Sequence, residues 1–225
     1  MKKGKNECDL KSCFLCKLCL QEWLPAISAN KTTINLKKGS VIFKEGDPVK
    51  GMYFIYEGAV KVHKKWDADK ELILRFAKKG DIVGHRGLGN EAVYPVSATA
   101  LEEVAVCFID LEFFEASLRM NYFFIHELLM FYARELKDSE KNMRNLAHMP
   151  VKGRIAQCLI ILQQRFGIDE NGNIDLNFTR QDLASFAGTT YETVFRMLTE
   201  MSREKIISLS SKSIAILNHE ALSSC

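Results

Sequence analysis

The sequence predicts an α+β protein with an N-terminal β jelly-roll, a long dimerisation helix and a C-terminal winged helix-turn-helix. Three observations support this. Short apolar segments separated by glycines fill residues 33–110, the stretch from about Met120 to Leu146 has neither Gly nor Pro, and residues 179–203 have the pattern of two short helices joined at a glycine. The predicted domains are a cysteine-rich segment (1–29), the jelly-roll (30–119), the dimerisation helix (120–148) and the winged helix domain (149–225).

The composition is that of an ordinary globular protein. Hydrophobic residues make up 47% and charged residues 26% of the 225-residue chain, which excludes disordered and collagen-like classes. Net charge is +3, and residues 149–225 carry eight basic and eight acidic residues, so bulk charge alone does not indicate a nucleic-acid partner. No apolar run approaches the roughly 18 residues of a membrane span, and no apolar segment follows Met1-Lys2-Lys3. We therefore expect a cytoplasmic protein with no membrane partner.

Eight short strands are predicted for the jelly-roll. Glycines at 39, 46, 58, 80 and 84 lie between apolar segments, as turns between strands require. Many short strands with regular turns are typical of a sandwich or barrel. The predicted strands are Thr33–Leu36, Ser40–Phe43, Met52–Glu57, Ala59–His63, Leu72–Phe76, Ile82–Val83, Val96–Ala100 and Val104–Ile109.

The predicted long helix carries two neighbouring apolar stripes. The inner stripe consists of Phe124, Leu128 and Phe131, and we expect it to cover the jelly-roll. The outer stripe has unbroken heptad spacing and predicts contact with the same helix of a second chain; packing within one chain is the alternative. Its single hydroxyl, Ser139, could fix the register or touch an effector. The outer stripe comprises Ile125, Leu129, Tyr132, Leu136, Ser139, Met143 and Leu146.

The residues after the long helix predict a small α/β domain. Pro150 ends the long helix, and Val151–Phe166 is amphipathic. Asn171-Gly172 predicts a tight hairpin. The segments Ile206–Leu209 and Ile214–Leu217 predict a two-stranded wing.

Between these elements lies the pattern of a helix-turn-helix. Thr179 can cap the first helix, with Asp182 completing a capping box. Gly188 permits the turn, and Thr189 or Thr190 caps the second helix. The side chains expected to face the core are Leu183, Phe186, Ala187, Val194, Leu198 and Met201.

The outer face of the second short helix carries side chains suited to base recognition. An Arg guanidinium can donate two hydrogen bonds to guanine, and a Glu carboxylate can accept one from cytosine N4. Two other roles remain open, because Glu192 and Arg196 are four residues apart and could form a surface ion pair, or Glu192 could close a capping box with Thr189. The residues on this face are Tyr191, Glu192, Phe195 and Arg196.

Taken together, these segments resemble the Crp–Fnr superfamily of bacterial transcription regulators over about residues 30–220. The resemblance implies a sensor domain with the fold of a cyclic-nucleotide-binding domain, a homodimer, a palindromic double-stranded DNA site and RNA polymerase as a partner. It implies no enzyme activity, and the sequence has no nucleophile elbow or phosphate loop. The matching segments are Phe43–Asp47, Tyr53–Gly58, Lys79–Gly84, Gly153–Gln157 and Thr179–Arg196.

The resemblance also implies roles for individual residues at the DNA. Glu192 and Arg196 would recognise bases, and Phe195 replaces a serine of the Fnr branch, so the neighbouring base preference should differ. Phe195 or Tyr191 could contact a thymine methyl. The resemblance places near the phosphates Thr179, Arg180 and Thr190. The full set of predicted DNA contacts is Thr179, Arg180, Gln181, Thr190, Tyr191, Glu192, Phe195 and Arg196.

The effector cassette departs from that of the cyclic-nucleotide binders. Those proteins hold the ribose with a Glu and the phosphate with an Arg, but here His85 replaces the Glu and no Arg occurs between Gly89 and Ser97. This argues against cyclic AMP as the effector. His85 is either a protonation switch or a hydrogen-bonded structural histidine. The predicted effector pocket contains Gly84, His85, Arg86 and Ser139.

Four of the seven cysteines lie in the first 19 residues, which in a reducing compartment favours a metal or redox site. Cys13, Cys16 and Cys19 supply three thiolates, and the resemblance to the Fnr branch implies Cys107 as the fourth ligand of a [4Fe–4S] cluster, with Cys8 as an alternative. That branch usually has five residues before its last N-terminal cysteine, where this chain has two. There are two other hypotheses. The cysteines bind zinc, or they bind no metal and the protein responds to a small-molecule or nucleotide effector. Without a metal, Cys107 is a plain buried cysteine.

Overall fold

The computed structural model describes residues 11–67, 70–89, 91–210 and 213–225. The chain forms two compact units. The first comprises Met1–Lys65 and Leu74–Lys137, and the second comprises Trp66–Ile73 and Asp138–Cys225. No helix among the described residues has both the length and the apolar character needed to cross a bilayer.

All eight predicted strands of the N-terminal domain are present, with ends shifted by a few residues at most. They form two four-stranded sheets with the orders β1-β8-β3-β6 and β2-β7-β4-β5. Side chains of both sheets share one core, which includes Phe43, Ile55 and Val106. The strands are β1 Thr32–Leu36, β2 Val41–Phe43, β3 Gly51–Glu57, β4 Val60–Lys65, β5 Glu71–Ala77, β6 Ile82–Val83, β7 Ser97–Ala100 and β8 Val104–Asp110.

Along the chain, α-helices lie before and after this β domain. Two short 3₁₀ turns, Gln21–Trp23 and His85–Gly87, accompany them. The α-helices are α1 Phe14–Leu18, α2 Leu24–Asn30, α3 Leu111–Met120, α4 Tyr122–His148, α5 Val151–Phe166, α6 Arg180–Ala187, α7 Tyr191–Arg203 and α8 His219–Ser223.

The long helix begins later than predicted, and a separate helix precedes it. Met120 is the last residue of α3, and extended backbone at Asn121 (φ −137°, ψ 94°) separates the two helices. The Asn121 side chain accepts a hydrogen bond from the Phe124 N–H at 3.0 Å, capping the start of α4. Because the stretch lacks Gly and Pro, the sequence predicted one continuous helix. It did not reveal the break that the Asn121 side chain creates by capping α4.

The inner stripe of α4 covers the β domain as predicted. Phe124 and Leu128 are buried, and Phe131 packs against the same apolar cluster as Met52 and Ile109. Burial of these side chains removes apolar surface from water and holds the first half of α4 in place.

The outer stripe of α4 faces solvent over most of its length. Leu129, Leu136 and Met143 are 63%, 61% and 65% exposed. Tyr132 differs from the prediction, because it is half-buried and its hydroxyl donates to the His85 carbonyl. Large apolar side chains exposed along one helix face are typical of an interaction surface.

The C-terminal unit contains the predicted small hairpin and wing. An isolated bridge joins Ile168 to Ile174 across Asn171-Gly172. Strands β9 (Ile207–Leu209) and β10 (Ile214–Ile216) pair antiparallel to form the wing.

Candidate functional site

The first helix of the helix-turn-helix is held by the predicted capping box. The Thr179 hydroxyl accepts from the Asp182 N–H at 3.0 Å, and the Asp182 carboxylate accepts from the Thr179 N–H at 2.9 Å. These reciprocal bonds satisfy backbone donors that the helix itself leaves unpaired. The start of α6 is therefore set by residues three positions apart in sequence.

A glycine is required at the turn between the two helices. Gly188 has φ +62°, a conformation that side chains disfavour. A Cβ built there would lie 2.4 Å from Leu146 Cδ2. Of the two predicted caps of α7, the structure uses Thr190, whose hydroxyl accepts from the Thr193 N–H at 3.3 Å.

The inner face of the recognition helix α7 packs through apolar side chains. Its inward side chains Val194, Leu198 and Met201 are at most 1% exposed, which confirms the predicted inner face. Across from them Leu183 and the small Ala184 of α6 are also fully buried. This packing fixes the rotation of α7 and therefore decides which side chains point outward.

Arg154 of α5 stabilises this arrangement and was not predicted. Its guanidinium donates to the carbonyls of Ala187, Gly188 and Leu146 at 3.0, 3.4 and 3.0 Å. These carbonyls lie at the ends of α6 and α4, where helices leave acceptors unpaired. The sequence feature that could have indicated this role is an Arg among the apolar residues of α5, but nothing in the sequence identified its acceptors.

The outward face of α7 presents the four predicted residues. Tyr191, Glu192, Phe195 and Arg196 are all exposed. Neither Glu192 nor Arg196 has an ion-pair or hydrogen-bond partner among the described side chains, and the N-cap is Thr190 rather than Thr189. The two alternative roles, a mutual ion pair and a capping box, are therefore not realised.

Two carboxylates near the C-terminal end of α7 share one lysine of α5. Lys152 Nζ lies 2.7 Å from Glu200 Oε1 and 3.0 Å from Glu204 Oε2. These contacts raise the pKa of Lys152 to about 12, chiefly through the hydrogen bonds to the two carboxylates. The carboxylates that would repel a phosphate backbone are thus partly compensated, and Arg196 remains available to a ligand.

The residues predicted to lie near phosphates border the same face. Thr179, Gln181 and Thr190 are exposed, although both threonine hydroxyls already act as helix caps. Arg180 is half-buried, and its Nη2 donates at 3.0 Å to the carbonyl of Ser210, which directly follows strand β9 of the wing. Arg180 therefore joins α6 to the wing while it keeps further donors for an anion.

The β domain brings together three of the four predicted effector-pocket residues. Gly84, His85 and Arg86 line one small cavity that Arg75 and Tyr94 also border. Ser139 is exposed on α4 and does not line this cavity.

Glu135 of α4 is the partner of this pocket that the sequence did not reveal. Its carboxylate accepts from Arg86 Nη2 at 2.7 Å and lies 3.6 Å from His85 Nε2. The sequence feature that could have identified Glu135 is its position four residues after Phe131, because a charged side chain there continues a buried apolar stripe. Although burial raises it, the pKa of Glu135 lies well below its usual 4.5 because the adjacent His85, Arg75 and Arg86 favour the carboxylate.

His85 is a buried histidine whose protonation the protein disfavours. It is 2% exposed, and burial lowers its pKa below the usual 6.5; Arg75 and Arg86 lower it further, and Glu135 opposes the shift. Its Nδ1 has no hydrogen-bond partner among the described residues. The packing therefore favours the neutral ring.

Replacing His85 with Gln is expected to flatten the acid dependence of stability. Because the unfolded chain binds a proton near pH 6.5 and the folded chain does not, stability falls as pH drops below about 6.5, by at most about 1.4 kcal/mol per pH unit. Urea unfolding between pH 5 and 7.5 measures this slope in the wild type and in His85→Gln. His126→Gln, which changes a half-exposed side chain, serves as the control. Equal slopes in all three proteins would contradict the expectation.

The predicted metal ligands converge on one apolar region without forming a ligand group. Cys13, Cys16 and Cys107 line the same pocket, and Cys19 packs on the same core cluster. Within the described ranges no three Cys, His, Asp or Glu side chains are arranged to hold a metal. Cys8 lies outside the described residues. Thiolates are the donors that iron–sulfur clusters use, but the described residues do not bring these cysteines into a metal-holding arrangement.

Close contact with the β domain positions this cysteine segment. The Phe14 N–H donates to the Gly80 carbonyl at 2.9 Å. A Cβ at Gly80 would lie 2.4 Å from the Ser12 carbonyl oxygen. Cys107 lies on β8, where its neighbours across the sheet are Thr33 and Phe54, and α3 rather than the dimerisation helix follows this strand.

The chain combines a β domain, a long helix and a winged helix-turn-helix. The outer face of its second short helix is unpaired among the described residues. This combination defines a class of protein. The class is that of DNA-binding transcription regulators. Two family models match the chain, a cyclic nucleotide-binding domain over residues 33–121 and a Crp-like helix-turn-helix domain over residues 153–225.

Characterised relatives cover almost the whole chain. The transcriptional activator protein Anr of Pseudomonas protegens is 30% identical over 96% of this chain and 91% of its own length. The anaerobic regulatory protein of Bacillus subtilis is 30% identical over 88% and 84%. A CRP-like cAMP-activated global transcriptional regulator of Mycobacterium tuberculosis is 27% identical over 88% and 90%. The fold resembles that of FixK2 from Bradyrhizobium japonicum, with a TM-score of 0.77 and 24% identity over 86% of this chain and 96% of that one.

The chain belongs to the Crp–Fnr superfamily of transcription regulators. This membership confirms the family resemblance, the α+β fold class and the prediction of a DNA-binding regulator. The family consists of non-enzymatic proteins that bind DNA and act as dimers.

Proposed function

We propose that this chain is a homodimeric, sequence-specific transcription regulator that binds an inverted repeat in double-stranded DNA. RNA polymerase is its proposed partner, and the cytoplasm its proposed compartment. The observation that carries the proposal is the outer face of α7. Glu192 and Arg196 are exposed there and have no partner among the described residues, while the opposite face is fully buried. Such side chains can meet the distinct donor and acceptor pattern of the major groove.

The proposed dimer forms through the outer stripe of α4, within the predicted helical domain 120–148. Apolar side chains more than 60% exposed at heptad positions support this role. Two-fold symmetry then places the two recognition helices about 34–36 Å apart along the DNA. Selection from random DNA is expected to return an inverted repeat whose half-site centres lie one helical turn apart, and recovery of sequences with no such symmetry would refute the proposal.

The proposed signal enters through the cysteine segment. Cys13, Cys16, Cys19 and Cys107 are the proposed donors to a [4Fe–4S] cluster, which when bound supplies an oxygen- and redox-sensitive centre. The convergence of Cys13, Cys16 and Cys107 on one pocket supports this choice. The names of two relatives, an anaerobic regulatory protein and a fumarate and nitrate reduction regulatory protein, are consistent with it. A metal-free small-molecule response is the alternative, consistent with the cAMP-activated relative.

Aromatic contacts connect the cysteine segment to the long helix. Phe14, between Cys13 and Cys16, lies 5.3 Å from Phe131 and 6.1 Å from Phe124, measured between ring centroids. A change in the backbone around the two cysteines would therefore displace a ring that packs directly on α4. Close packing transmits such a displacement because it leaves little free volume to absorb it.

Replacing Cys107 with Ala is expected to remove the metal centre. Protein made without oxygen, with iron and sulfide supplied, should lose its brown absorption and its oxygen-sensitive DNA binding. Cys158→Ala is the matched control, because Cys158 is a buried cysteine of α5 whose pKa burial raises to about 12, and it should retain both properties.

Two results would contradict this assignment. If Cys107→Ala retains the absorption and the oxygen response, the ligands are local to the N-terminal segment and include Cys8. If the wild-type protein prepared in this way contains no iron, the iron–sulfur proposal is wrong, and the zinc or metal-free hypothesis replaces it.

A further inference from the structure

Three nitrogen-bearing side chains of the β domain converge on a single carboxylate of α4. Arg86 donates to Glu135 Oε2 from Nη2 at 2.7 Å and from Nε at 3.3 Å. Arg75 Nε lies 3.5 Å from Glu135 Oε1, and His85 Nε2 lies 3.6 Å from Oε2. Both oxygens of the carboxylate are therefore engaged from β5 and from the 3₁₀ turn.

This cluster is shielded from water. The side chains of Glu135, Arg75 and Arg86 are 16%, 11% and 25% exposed, and that of His85 is 2% exposed. Phe131 covers one side, with its ring centroid 4.9 Å from the His85 ring and 5.7 Å from the Arg75 guanidinium carbon. Charges held away from water keep much of their mutual attraction, so an arginine pair in this setting selects for an anion.

A small cavity adjoins the cluster, and His85, which lines it, has no hydrogen-bond partner at either ring nitrogen among the described residues. Arg75, His85 and Arg86 all line this cavity. His85 Nδ1 is buried and lacks a hydrogen-bond partner among the described residues, whereas the Tyr94 hydroxyl, also at the cavity, donates to the Gly51 carbonyl at 2.7 Å. Buried polar atoms are normally paired, so the His85 ring retains hydrogen-bonding capacity beside the two guanidinium groups.

We infer that the pocket formed by Arg75, His85 and Arg86 is a binding site for a small carboxylate, which the chain fills with its own Glu135. A tethered carboxylate acts at an effective concentration of about millimolar or above, so it excludes a free carboxylate at lower concentration. The first half of α4 is then held on the β domain without an added effector. This inference goes beyond the proposed regulator and does not depend on whether the cysteines bind a metal.

The test removes the tethered ligand and supplies a free one. Glu135→Ala deletes a group equivalent in size to acetate, and its thermal midpoint is expected to fall by about 5 °C or more because two guanidinium groups lose their buried anion. Sodium acetate should restore part of this loss, with half-saturation in the millimolar range, relative to sodium chloride at equal ionic strength. The wild type should not respond, because Glu135 occupies its site.

Two further variants separate this site from general salt effects. Adding Arg86→Gln to Glu135→Ala should abolish the acetate response. Glu127→Ala changes a carboxylate on the same helix that pairs with His126 at 3.5 Å, and it should show no acetate response. An acetate effect equal in wild type and Glu135→Ala, or absent from Glu135→Ala, would overturn the inference.

A second measurement applies if Glu135→Ala does not fold. Glu135→Asp withdraws the carboxylate by one methylene. The change in thermal midpoint that it causes is measured in the wild type and again in Arg86→Gln. Strong non-additivity is expected because the two side chains share one interaction. Additive midpoints would show that Glu135 does not act as a ligand of Arg86.

Discussion

Replacing Leu136 with Glu is expected to convert the proposed dimer into monomers at micromolar concentration. Leu136 is a leucine of the outer stripe of α4 and is 61% exposed in the single chain. In the proposed dimer the change places two carboxylates in an apolar seam, and each unpaired buried charge costs several kcal/mol. Because about 1.4 kcal/mol corresponds to a factor of ten, the dimer affinity should fall by at least about a thousandfold.

Light scattering across a concentration series measures the mass of this variant. Leu217→Glu is the matched control, because Leu217 is a leucine 59% exposed outside the stripe, and it should leave the mass unchanged. DNA affinity should fall together with the dimer, since a monomer contacts only one half-site. A Leu136→Glu protein with the wild-type mass would refute the outer stripe as the interface.

Arg196→Ala is expected to weaken binding to the selected DNA site by about 1–3 kcal/mol and to relax one G·C position. The guanidinium of Arg196 is exposed and has no intramolecular partner among the described residues, so its removal leaves the fold of α7 intact. The loss should therefore appear in specific binding alone. Titration of the selected site and of its single-base variants measures both the loss and the change in base preference.

Arg180→Ala provides the contrasting variant on the same face. Its guanidinium reaches the wing at the Ser210 carbonyl, and its proposed DNA partner is a phosphate. It should therefore weaken all sequences alike and reduce the salt dependence of binding. If Arg196→Ala behaves in this uniform way, Arg196 does not recognise a base.

Elements defined by neighbouring residues were predictable from the sequence. The capping box of α6 depends on Thr179 and Asp182, which are three positions apart, and the turn depends on the positive φ of Gly188. The inner face of α7 follows from helical spacing of Val194, Leu198 and Met201. The strand positions followed from apolar segments bounded by glycine. Each of these features is fixed by local geometry.

The break before α4 shows where such local reasoning fails. The predicted helix, a segment without Gly or Pro, begins at about Met120, yet Asn121 separates two helices. Its side chain also donates to the carbonyl of Leu18 at 2.8 Å, more than one hundred residues earlier. The distant acceptor favours a conformation that local propensity alone does not require.

The sequence by itself therefore determined the family, the order of elements and the outer face of the recognition helix, because these depend on short-range spacing. Only the tertiary structure placed Glu135 on Arg75, His85 and Arg86, and only it brought Cys107 to the pocket of Cys13 and Cys16. Arg86 and Glu135 are 49 residues apart, and their contact depends on how α4 packs against the β domain. Periodicity predicts which face of a helix is buried, but it does not specify which distant side chains that face will meet.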